Sequence, residues 1–324
     1  MNQLSGRLYL FCAFSLAGTS VISARFVTGK LGTFTITAVS LFFALAFLVL
    51  LCRRQLVRYI QKMLFRNFIF LSLQALCGIF LFRMFLLSGL QYTSAGEAGI
   101  LTGATPAITA FLAMVILREP VGGRKLAGIL CTVGGILIIQ GMLSPGNGLS
   151  LEHIGGNTLV LCAAACESVF NTLSRISAVN AAADQEEPFS PIVQTAIVSA
   201  ITLILCLIPA AFEKPLKALS GIGLSGWMAL LWYGVFVTAV AFICWYSGIK
   251  RCGAFTAAAF SGMIPLTSML LSTVILGEST DYRQWLGGFL VIIGMILIGT
   301  EGMDATSAKS KDIKNIGKEQ VKEY

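Results

Sequence analysis

The sequence predicts an all-α integral membrane protein with ten transmembrane helices, arranged as two inverted five-helix repeats. Three observations favour this fold class. Apolar residues make up 56% of the 324 residues and charged residues only 12%, whereas soluble domains carry roughly 25% charged residues. The apolar runs are continuous and about 20 residues long, the length that a helix needs to cross a bilayer. A segment of the first half also recurs in the second half.

The internal repeat aligns without a gap, so that Ala95 corresponds to Ala254 and each later position shifts by the same amount. Each copy is an apolar run with a proline, then a Glu, then a second apolar run containing glycines. The first copy contributes Ala95, Ala98, Gly103, Pro106, Leu112, Val115, Ile116, Leu117, Glu119, Arg124, Gly128, Gly135 and Ile139, and the second Ala254, Ala257, Gly262, Pro265, Leu271, Val274, Ile275, Leu276, Glu278, Arg283, Gly287, Gly294 and Ile298.

Five apolar spans fall in each half of the chain. Because five is odd, the second copy is expected to enter the membrane upside down relative to the first. The halves occupy 1–144 and 145–301, and a Lys-rich tail follows at 302–324. The predicted spans are 8–28, 33–52, 67–90, 94–117, 124–143, 155–178, 191–212, 222–249, 254–277 and 282–300.

The distribution of Lys and Arg predicts the orientation, because cytoplasmic loops are enriched in these residues. It places both termini in the cytoplasm. The net charge of +8 is then explained by topology and attraction to anionic lipid, with no nucleic acid expected. The expected cytoplasmic side holds Arg7, Arg53, Arg54, Arg58, Lys62, Arg66, Arg118, Arg124, Lys125, Arg175, Lys250, Arg251 and five tail lysines, and the other side holds Arg25, Lys30, Lys214, Lys217 and Arg283.

Glu167 is the acidic residue predicted to lie deepest in the membrane. Ionisable groups in hydrocarbon are costly, so each is a functional candidate. At helical spacing, Glu167, Asn171 and Ser174 form one polar stripe that should face a cavity or a neighbouring helix. Glu167 either lines a transport pathway or is a structural carboxylate bonded to adjacent helices.

Arg83 and Glu97 flank the short turn between two antiparallel spans. At 1.5 Å per residue, they lie roughly 12 Å and roughly 7 Å from that turn, a difference that a long guanidinium can bridge. An ion pair that fastens the hairpin is one interpretation. In the other, Arg83 meets a substrate carboxylate while Glu97 meets an amine or a proton.

The first span carries a hydroxyl stripe of Ser15, Thr19 and Ser23, which is more typical of helix packing than of a binding site. The span 222–249 concentrates aromatic residues, most of them interpreted as interfacial, although one such as Trp245 could stack on an organic substrate. These aromatic residues are Trp227, Trp232, Tyr233, Trp245 and Tyr246.

Pro106 and Pro265 are expected in mid-helix, where each would remove a backbone hydrogen bond and kink its span. The kink could act as a hinge, the freed carbonyl groups could contact the substrate, or the role could be purely geometric. The pairs Glu119–Arg124 and Glu278–Arg283 are interpreted as structural fasteners of helix hairpins. Glycines of the fifth and tenth spans are expected to allow close helix approach. Those glycines are Gly128, Gly134, Gly135, Gly287, Gly288 and Gly294.

No metal or cofactor site is predicted. The nine cysteines lie within or at the ends of spans and none forms a Cys-x-x-Cys pair, so they are expected to pack as small apolar residues. The single histidine, His153, is expected in a loop outside the membrane, away from any intramembrane proton relay.

The duplicated segments Ala95 to Ile139 and Ala254 to Ile298 resemble the EamA-type branch of the drug/metabolite transporter superfamily, over 8–300. The resemblance implies ten helices, two inverted repeats, cytoplasmic termini and a central cavity. It also implies export or exchange of small metabolites or drugs, and no catalytic residues. Glu97 departs from the family pattern, where a small or neutral residue is common.

The first functional hypothesis is therefore a secondary transporter, and an exporter in particular, that moves amino acids, amines or drugs across the bacterial inner membrane by alternating access. Its partners would be a small-molecule substrate and membrane lipid, with the proton as a candidate coupling ion, and it would be a monomer or a weak homodimer. An exchanger of phosphorylated or nucleotide-linked solutes should carry more cavity cations than Arg83. An intramembrane lipid-modifying enzyme should carry convergent catalytic groups, which the sequence lacks.

Overall fold

The computed structural model describes residues 3–27, 30–89, 92, 104–118, 122–139, 154–183, 190–276, 282–283, 285–294 and 296–297. Over these residues the chain is almost entirely helical, with no β-strand. The predicted helical class is therefore confirmed. Five described helices are long and apolar enough to cross a membrane, namely Thr33–Gln61, Phe65–Leu86, Ile154–Ser177, Pro191–Phe212 and Leu224–Cys252.

The helices are numbered along the chain, and two of them contain a π-helical turn. The helices are α1 (Gln3–Gly18 and Ser20–Arg25), α2 (Thr33–Lys62), α3 (Phe65–Ala75, the π-helical turn Leu76–Leu81, and Phe82–Gly89), α4 (Thr105–Ile116), α5 (Gly123–Ile139), α6 (Ile154–Ala183), α7 (Pro191–Phe212), the short α8 (Pro215–Ser220), α9 (Leu224–Trp232, the π-helical turn Tyr233–Val240, and Ala241–Cys252), α10 (Ala254–Phe260 and Met263–Leu276) and α11 (Trp285–Gly294).

Two differences between the structure and the predicted spans have a local cause in the sequence. Helix α2 continues ten residues past the predicted end at 52, because Arg53, Arg54 and Arg58 favour helix as much as the apolar residues before them do. Helix α1 is interrupted at Thr19, whose hydroxyl donates to the carbonyl of Leu16 at 2.7 Å and so competes with the regular helical bonding.

The packing brings together helices from both halves of the sequence. Helix α2 packs on α7 and on the π-helical turn of α9, α1 packs on the last part of α9 and on α10, and α6 packs on α3 and α4. Apolar contacts with Phe170 of α6 at the centre include Trp245 and Tyr246 of α9. The core is therefore shared between the halves.

Glycine allows a close approach of α1 to α9 and of α3 to α6. A Cβ atom added to Gly248 would lie 2.6 Å from Leu10 Cγ and 3.0 Å from the carbonyl oxygen of Gly6. A Cβ atom added to Gly89 would lie 2.7 Å from a methyl of Val160 and 3.0 Å from the carbonyl oxygen of Gly156. Gly89 and Gly248 are related by the same offset as the sequence repeat, so these two contacts are counterparts.

A reciprocal contact joins α5 to α11. A Cβ atom on Gly135 would lie 2.5 Å from the carbonyl oxygen of Gly287, and one on Gly294 would lie 2.6 Å from that of Gly128. The two helices cross in antiparallel fashion, and each contributes two glycines at equivalent positions to the contact. The expected close packing is borne out at these four residues, whereas Gly134 has nothing within 4 Å.

The prediction that the prolines kink continuous helices is wrong as stated. Pro106 lies in the first turn of α4, where its missing N–H costs no hydrogen bond. In α10 the helix is broken at Ser261 and Gly262, before Pro265. A new helix begins at Met263, with Pro265 in its first turn, so the span is broken at this point instead of continuing through a kink at the proline.

Candidate functional site

Glu167 meets the beginning of α4. Its carboxylate accepts a hydrogen bond from the hydroxyl of Thr105 at 3.1 Å. Thr105 is the first residue of α4, so the carboxylate lies at a helix N-terminus, where the helix dipole favours negative charge. The side chain of Glu167 is only partly buried. An acidic group in the middle of α6 therefore bonds to a neighbouring helix, at a residue that is not completely buried.

Two further polar contacts join the same faces of α4 and α6. Asn171 Nδ2 donates to the hydroxyl of Thr109 at 3.4 Å, and the hydroxyl of Ser168 donates to the carbonyl of Thr105 at 3.2 Å. Asn171 and Ser168 are buried. Because Thr105 and Thr109 have the same four-residue spacing as Glu167 and Asn171, one face of each helix carries the whole set.

The counterpart crossing, between α1 and α10, lacks this carboxylate. There, Gly18 of α1 approaches the carbonyl oxygen of Ile264, at 2.8 Å from an added Cβ atom, just as Ser168 approaches that of Thr105. Ile264 is the repeat counterpart of Thr105, and the glycine contacts that match α1 to α6 place Ala17 opposite Glu167. The two crossings are alike in shape, but only one is acidic.

A buried amide cluster links α3, α7 and α9. Gln74 Oε1 accepts hydrogen bonds from Gln194 Nε2 at 3.0 Å and from the hydroxyl of Tyr246 at 2.9 Å. All three side chains are almost fully buried. Sequence inspection missed both glutamines, although an amide alone within an apolar helix is a usable signal, because it must find a partner in the membrane.

Ser174, the third member of the predicted stripe, is buried beside this amide cluster near Tyr246. Its hydroxyl has no hydrogen-bond partner among the described residues. The stripe therefore splits, because Glu167 and Asn171 face α4 while Ser174 lies towards α9.

The aromatic residues of α9 divide into two groups. Trp245 is buried and stacks on Phe170, with ring centroids 4.7 Å apart and an interplanar angle of 21°. Trp227 and Trp232 are 39% and 40% exposed. The interfacial interpretation therefore fits the two exposed tryptophans, whereas Trp245 and Tyr246 are buried in the core, where Trp245 stacks on Phe170 and Tyr246 meets it edge-on. Phe170, on which Trp245 stacks, follows Glu167 by three residues, about one helical turn.

Arg83 of α3 points to α2 and α9. Its Nη1 atom donates to the hydroxyl of Thr37 at 2.8 Å, and its guanidinium lies 4.9 Å from the ring centroid of Tyr233. Both Arg83 and Tyr233 are partly buried. Glu97, the predicted partner, lies outside the described residues, so an Arg83–Glu97 pair stays a prediction.

Arg83 and Glu167 lie at similar depth. Gly78 packs on Phe170, and Gly89 packs on Val160, so α3 and α6 are antiparallel. Interpolating between these contacts at about 1.5 Å per residue places the backbone of Arg83 level with about residue 165, within about one helical turn of Glu167. That level is the middle of the apolar span Ile154–Ser177.

Glu213, at the end of α7, caps the beginning of α2. Its carboxylate accepts hydrogen bonds from the backbone N–H of Phe34 at 3.1 Å, and from the N–H and hydroxyl of Thr35, each at 2.7 Å. These bonds satisfy N–H groups that a helix start otherwise leaves unpaired. The sequence analysis did not single out Glu213, because its partners are about 180 residues away.

The hydroxyl stripe of α1 is mainly structural. Thr19 accepts a hydrogen bond from Trp232 Nε1 at 2.9 Å, and Ser23 donates to the carbonyl of Thr19 at 3.1 Å. The hydroxyl of Ser15 is buried without a partner among the described residues. The structure thus ties Thr19 to the exposed face of α9.

Several predicted residues lie outside the described part of the chain, and their roles stay predictions. These include Glu119, Glu278 and His153. Their predicted neighbours are placed, because Arg124 lies in the first turn of α5, and Arg283 Nε donates to the hydroxyl of Tyr282 at 3.2 Å. Within the described residues, no group of three or more His, Cys, Asp or Glu side chains could hold a metal ion.

Comparison with known proteins identifies the family that shares this architecture. The EamA-like transporter family model matches residues 4–141 and again 154–300. The chain is similar to the uncharacterized transporter YetK of Bacillus subtilis, at 29% identity over 91% of this chain and 87% of that protein. It is also similar to the aromatic amino acid exporter YddG of Ancylobacter novellus, at 26% identity over 61% of this chain and 64% of that protein.

A crystal structure that covers 91% of this chain and 96% of its own shares the fold, with a TM-score of 0.72 and 21% identity. At this low identity, the match supports a shared fold and no shared function. Two matches of one family model, together covering most of the residues, agree with a duplicated, multi-pass helical protein. The chain belongs to the EamA-like transporter family.

Proposed function

We propose that this protein is a secondary transporter that exports small metabolites such as amino acids, amines or drugs across the bacterial inner membrane by alternating access. The observation that carries this proposal is the carboxylate of Glu167, held by Thr105 in the middle of a membrane-spanning helix. An ionisable group at that depth marks a substrate or ion pathway by default, because it is costly to keep there for packing alone.

The broken helices support the same proposal. Helix α10 is interrupted before Pro265, and α4 begins beside Glu167. Transporters place their sites where helices are discontinuous, because a helix terminus inside the membrane presents backbone groups that a continuous helix would use internally. The start of α4 also favours an anion, so Glu167 can hold its charge there until a substrate amine or a proton neutralises it.

We further propose that the two halves have opposite orientations in the membrane, with both termini in the cytoplasm. The antiparallel glycine crossing of α5 and α11 supports opposite orientations, since an approximate two-fold axis relates its two contacts. The matched contacts Gly248–Leu10 and Gly89–Val160 lie at the two ends of the helix bundle. They are candidates for the two sides that open alternately.

An amino acid is the substrate class to test first. One relative bears the name aromatic amino acid exporter, and the aromatic core around Phe170 and Trp245 lies within one turn of Glu167. An aromatic side chain bound near these rings would bury apolar area and stack on them. The ammonium group of such a substrate could then reach the carboxylate of Glu167.

The test is solute flux in proteoliposomes. The purified protein is reconstituted and loaded with unlabelled phenylalanine, leucine, phenethylamine or buffer, and counterflow of each labelled solute is measured with and without a pH gradient. We expect counterflow of at least one solute above that of protein-free vesicles. If the vesicles move none of these solutes while their lipid is hydrolysed, the proposal of a transporter is wrong and the protein is an enzyme that acts on lipid.

A further inference from the structure

The described residues leave Arg83 without a carboxylate partner. Of the fifteen acidic residues, the structure describes Glu167 and Glu213. Glu167 bonds to Thr105, and Glu213 bonds to Phe34 and Thr35. The contacts of Arg83 are instead a neutral hydroxyl, Thr37, and a ring face, Tyr233. An intramembrane guanidinium with only neutral contacts carries a large desolvation cost.

Glu213 does not substitute for such a partner. Its carboxylate accepts three hydrogen bonds at the start of α2, at 2.7 to 3.1 Å, and the positive end of the α2 dipole offsets its charge. Among the described residues, the charge of Arg83 therefore has no anionic partner.

The guanidinium also has donors that the contacts with described residues do not use. A guanidinium carries five N–H donors, and the structure assigns one of these to Thr37. The guanidinium lies over the ring of Tyr233, which accepts no N–H bond at the edge of the planar group, and this edge is the part of an arginine that binds a carboxylate with two parallel hydrogen bonds. Arg83 and Tyr233 both remain partly accessible.

The region related to this one by the repeat offset is filled by packed side chains. By the repeat offset, Tyr233 corresponds to Gln74 and Arg83 corresponds to Phe242. Phe242 packs on Phe170 at a ring-centroid distance of 5.9 Å, and Gln74 Oε1 is bonded to Gln194 and Tyr246 in nearly complete burial. One half thus has an apolar residue where the other has a partly buried cation, so packing of this fold does not require the arginine.

We propose that Arg83, held by Thr37 and Tyr233, is the subsite that binds the carboxylate of the substrate. The substrates of this protein are then carboxylates, including zwitterionic amino acids, rather than simple amines. The similar depth of Arg83 and Glu167 suits a zwitterion, whose ammonium end would face Glu167. This inference rests on the proposed transport function, but its test measures binding and does not depend on flux.

The test compares carboxylates with their own primary amides. The purified full-length protein is titrated with phenylalanine and phenylalaninamide, leucine and leucinamide, and 3-phenylpropionate and 3-phenylpropionamide, and thermal stabilisation gives each apparent Kd. We expect at least one carboxylate to bind about tenfold or more tightly than its amide, the size expected for charge-assisted hydrogen bonds. Equal binding of every pair, or no binding, would overturn the subsite.

Variants then assign the preference to Arg83. Arg83→Gln should abolish the difference between carboxylate and amide, and Arg83→Lys should keep part of it. Arg58→Gln removes an equal charge from the exposed end of α2 and should leave the preference intact. If Arg83→Gln does not fold, Thr37→Val is the alternative, and it should reduce the preference about threefold by releasing Nη1. An unchanged preference in both variants would contradict the proposal.

Glu97 provides a further control, since it is the partner that the sequence predicts for Arg83. If the arginine only neutralises Glu97, then Arg83→Gln combined with Glu97→Gln should bind carboxylates as tightly as the unmodified protein, and the subsite is excluded. Retained carboxylate preference without any flux would instead refute transport and leave the subsite in place. Flux with equal binding of acids and amides would refute the subsite alone.

Discussion

The hydroxyl of Thr105 donates to the carboxylate of Glu167 at 3.1 Å, across the contact between α4 and α6. We predict that Glu167→Gln lowers flux about tenfold or more while the protein still folds. The amide oxygen can accept the same hydrogen bond, so helix packing is preserved, whereas the charge that would hold an ammonium group or a proton is lost. Counterflow in proteoliposomes measures the effect.

The matched control for this prediction is Thr158→Val, which removes a polar group from the exposed side of the same helix. It should transport normally. Normal flux in Glu167→Gln would remove the carboxylate from the pathway and make it a structural group.

Alanine at Gly89 or at Gly248 should destabilise the protein. An added Cβ atom at either position would lie 3.0 Å from a backbone carbonyl oxygen and closer still to a side chain. Overpacking of this kind costs about 1–3 kcal/mol. Thermal unfolding in detergent should therefore show a lower midpoint for each variant.

Gly134→Ala and Gly155→Ala are the controls, because nothing lies within 4 Å of an added Cβ atom at either residue. Alanine favours helix over glycine by up to about 1 kcal/mol, so these two variants should be as stable as the parent or slightly more stable. Equal midpoints for all four variants would show that the two close contacts do not form.

The buried amide cluster predicts an order of stabilities. Tyr246→Phe removes one of the two hydrogen bonds to Gln74, which should cost about 0.6 kcal/mol, the average for such bonds in membranes. Gln74→Leu should cost more, since it leaves both Gln194 and Tyr246 without their acceptor. Chemical denaturation of the purified variants measures both costs, and the reverse order would contradict the described hydrogen bonding.

Glu213→Gln should weaken the start of α2. The charge and the acceptor atoms both stabilise this helix N-terminus, so the variant should lose about 1–2 kcal/mol. Lys217→Gln, a nearby exposed residue, should have little effect. Hydrogen exchange at Phe34 and Thr35 should rise in the first variant only. Unchanged protection at both amides would argue against the cap.

The periodic and duplicated features of this protein could be predicted from sequence, because each half repeats the same physical constraints. Apolar length located the five described helices that are long enough to cross a membrane, and the glycine repeat indicated that α5 and α11 each approach a neighbouring helix closely. Glu167 was identified because a carboxylate in a long apolar run is conspicuous. Its spacing to Asn171 also indicated the face that meets Thr105 and Thr109.

Partners distant in sequence could not be predicted, because nothing local encodes them. The bonds of Glu213 to α2 and of Arg83 to Thr37 join residues far apart in the chain. The prolines were misinterpreted for a different reason. A proline in an apolar run fits both a kink and the first turn of a new helix, and only the break at Ser261 and Gly262 distinguishes the two for Pro265.

The glycine crossing of α5 and α11 bears on how such a protein could have arisen. Each helix receives from its partner the same surface that it offers, through Gly135 with Gly287 and Gly294 with Gly128. Two separate copies of one ancestral half could form this crossing only after insertion into the membrane in both directions. In a single chain both halves are always present together, so their sequences need not be the same, and Glu167 in one half stands where the other has Ala17.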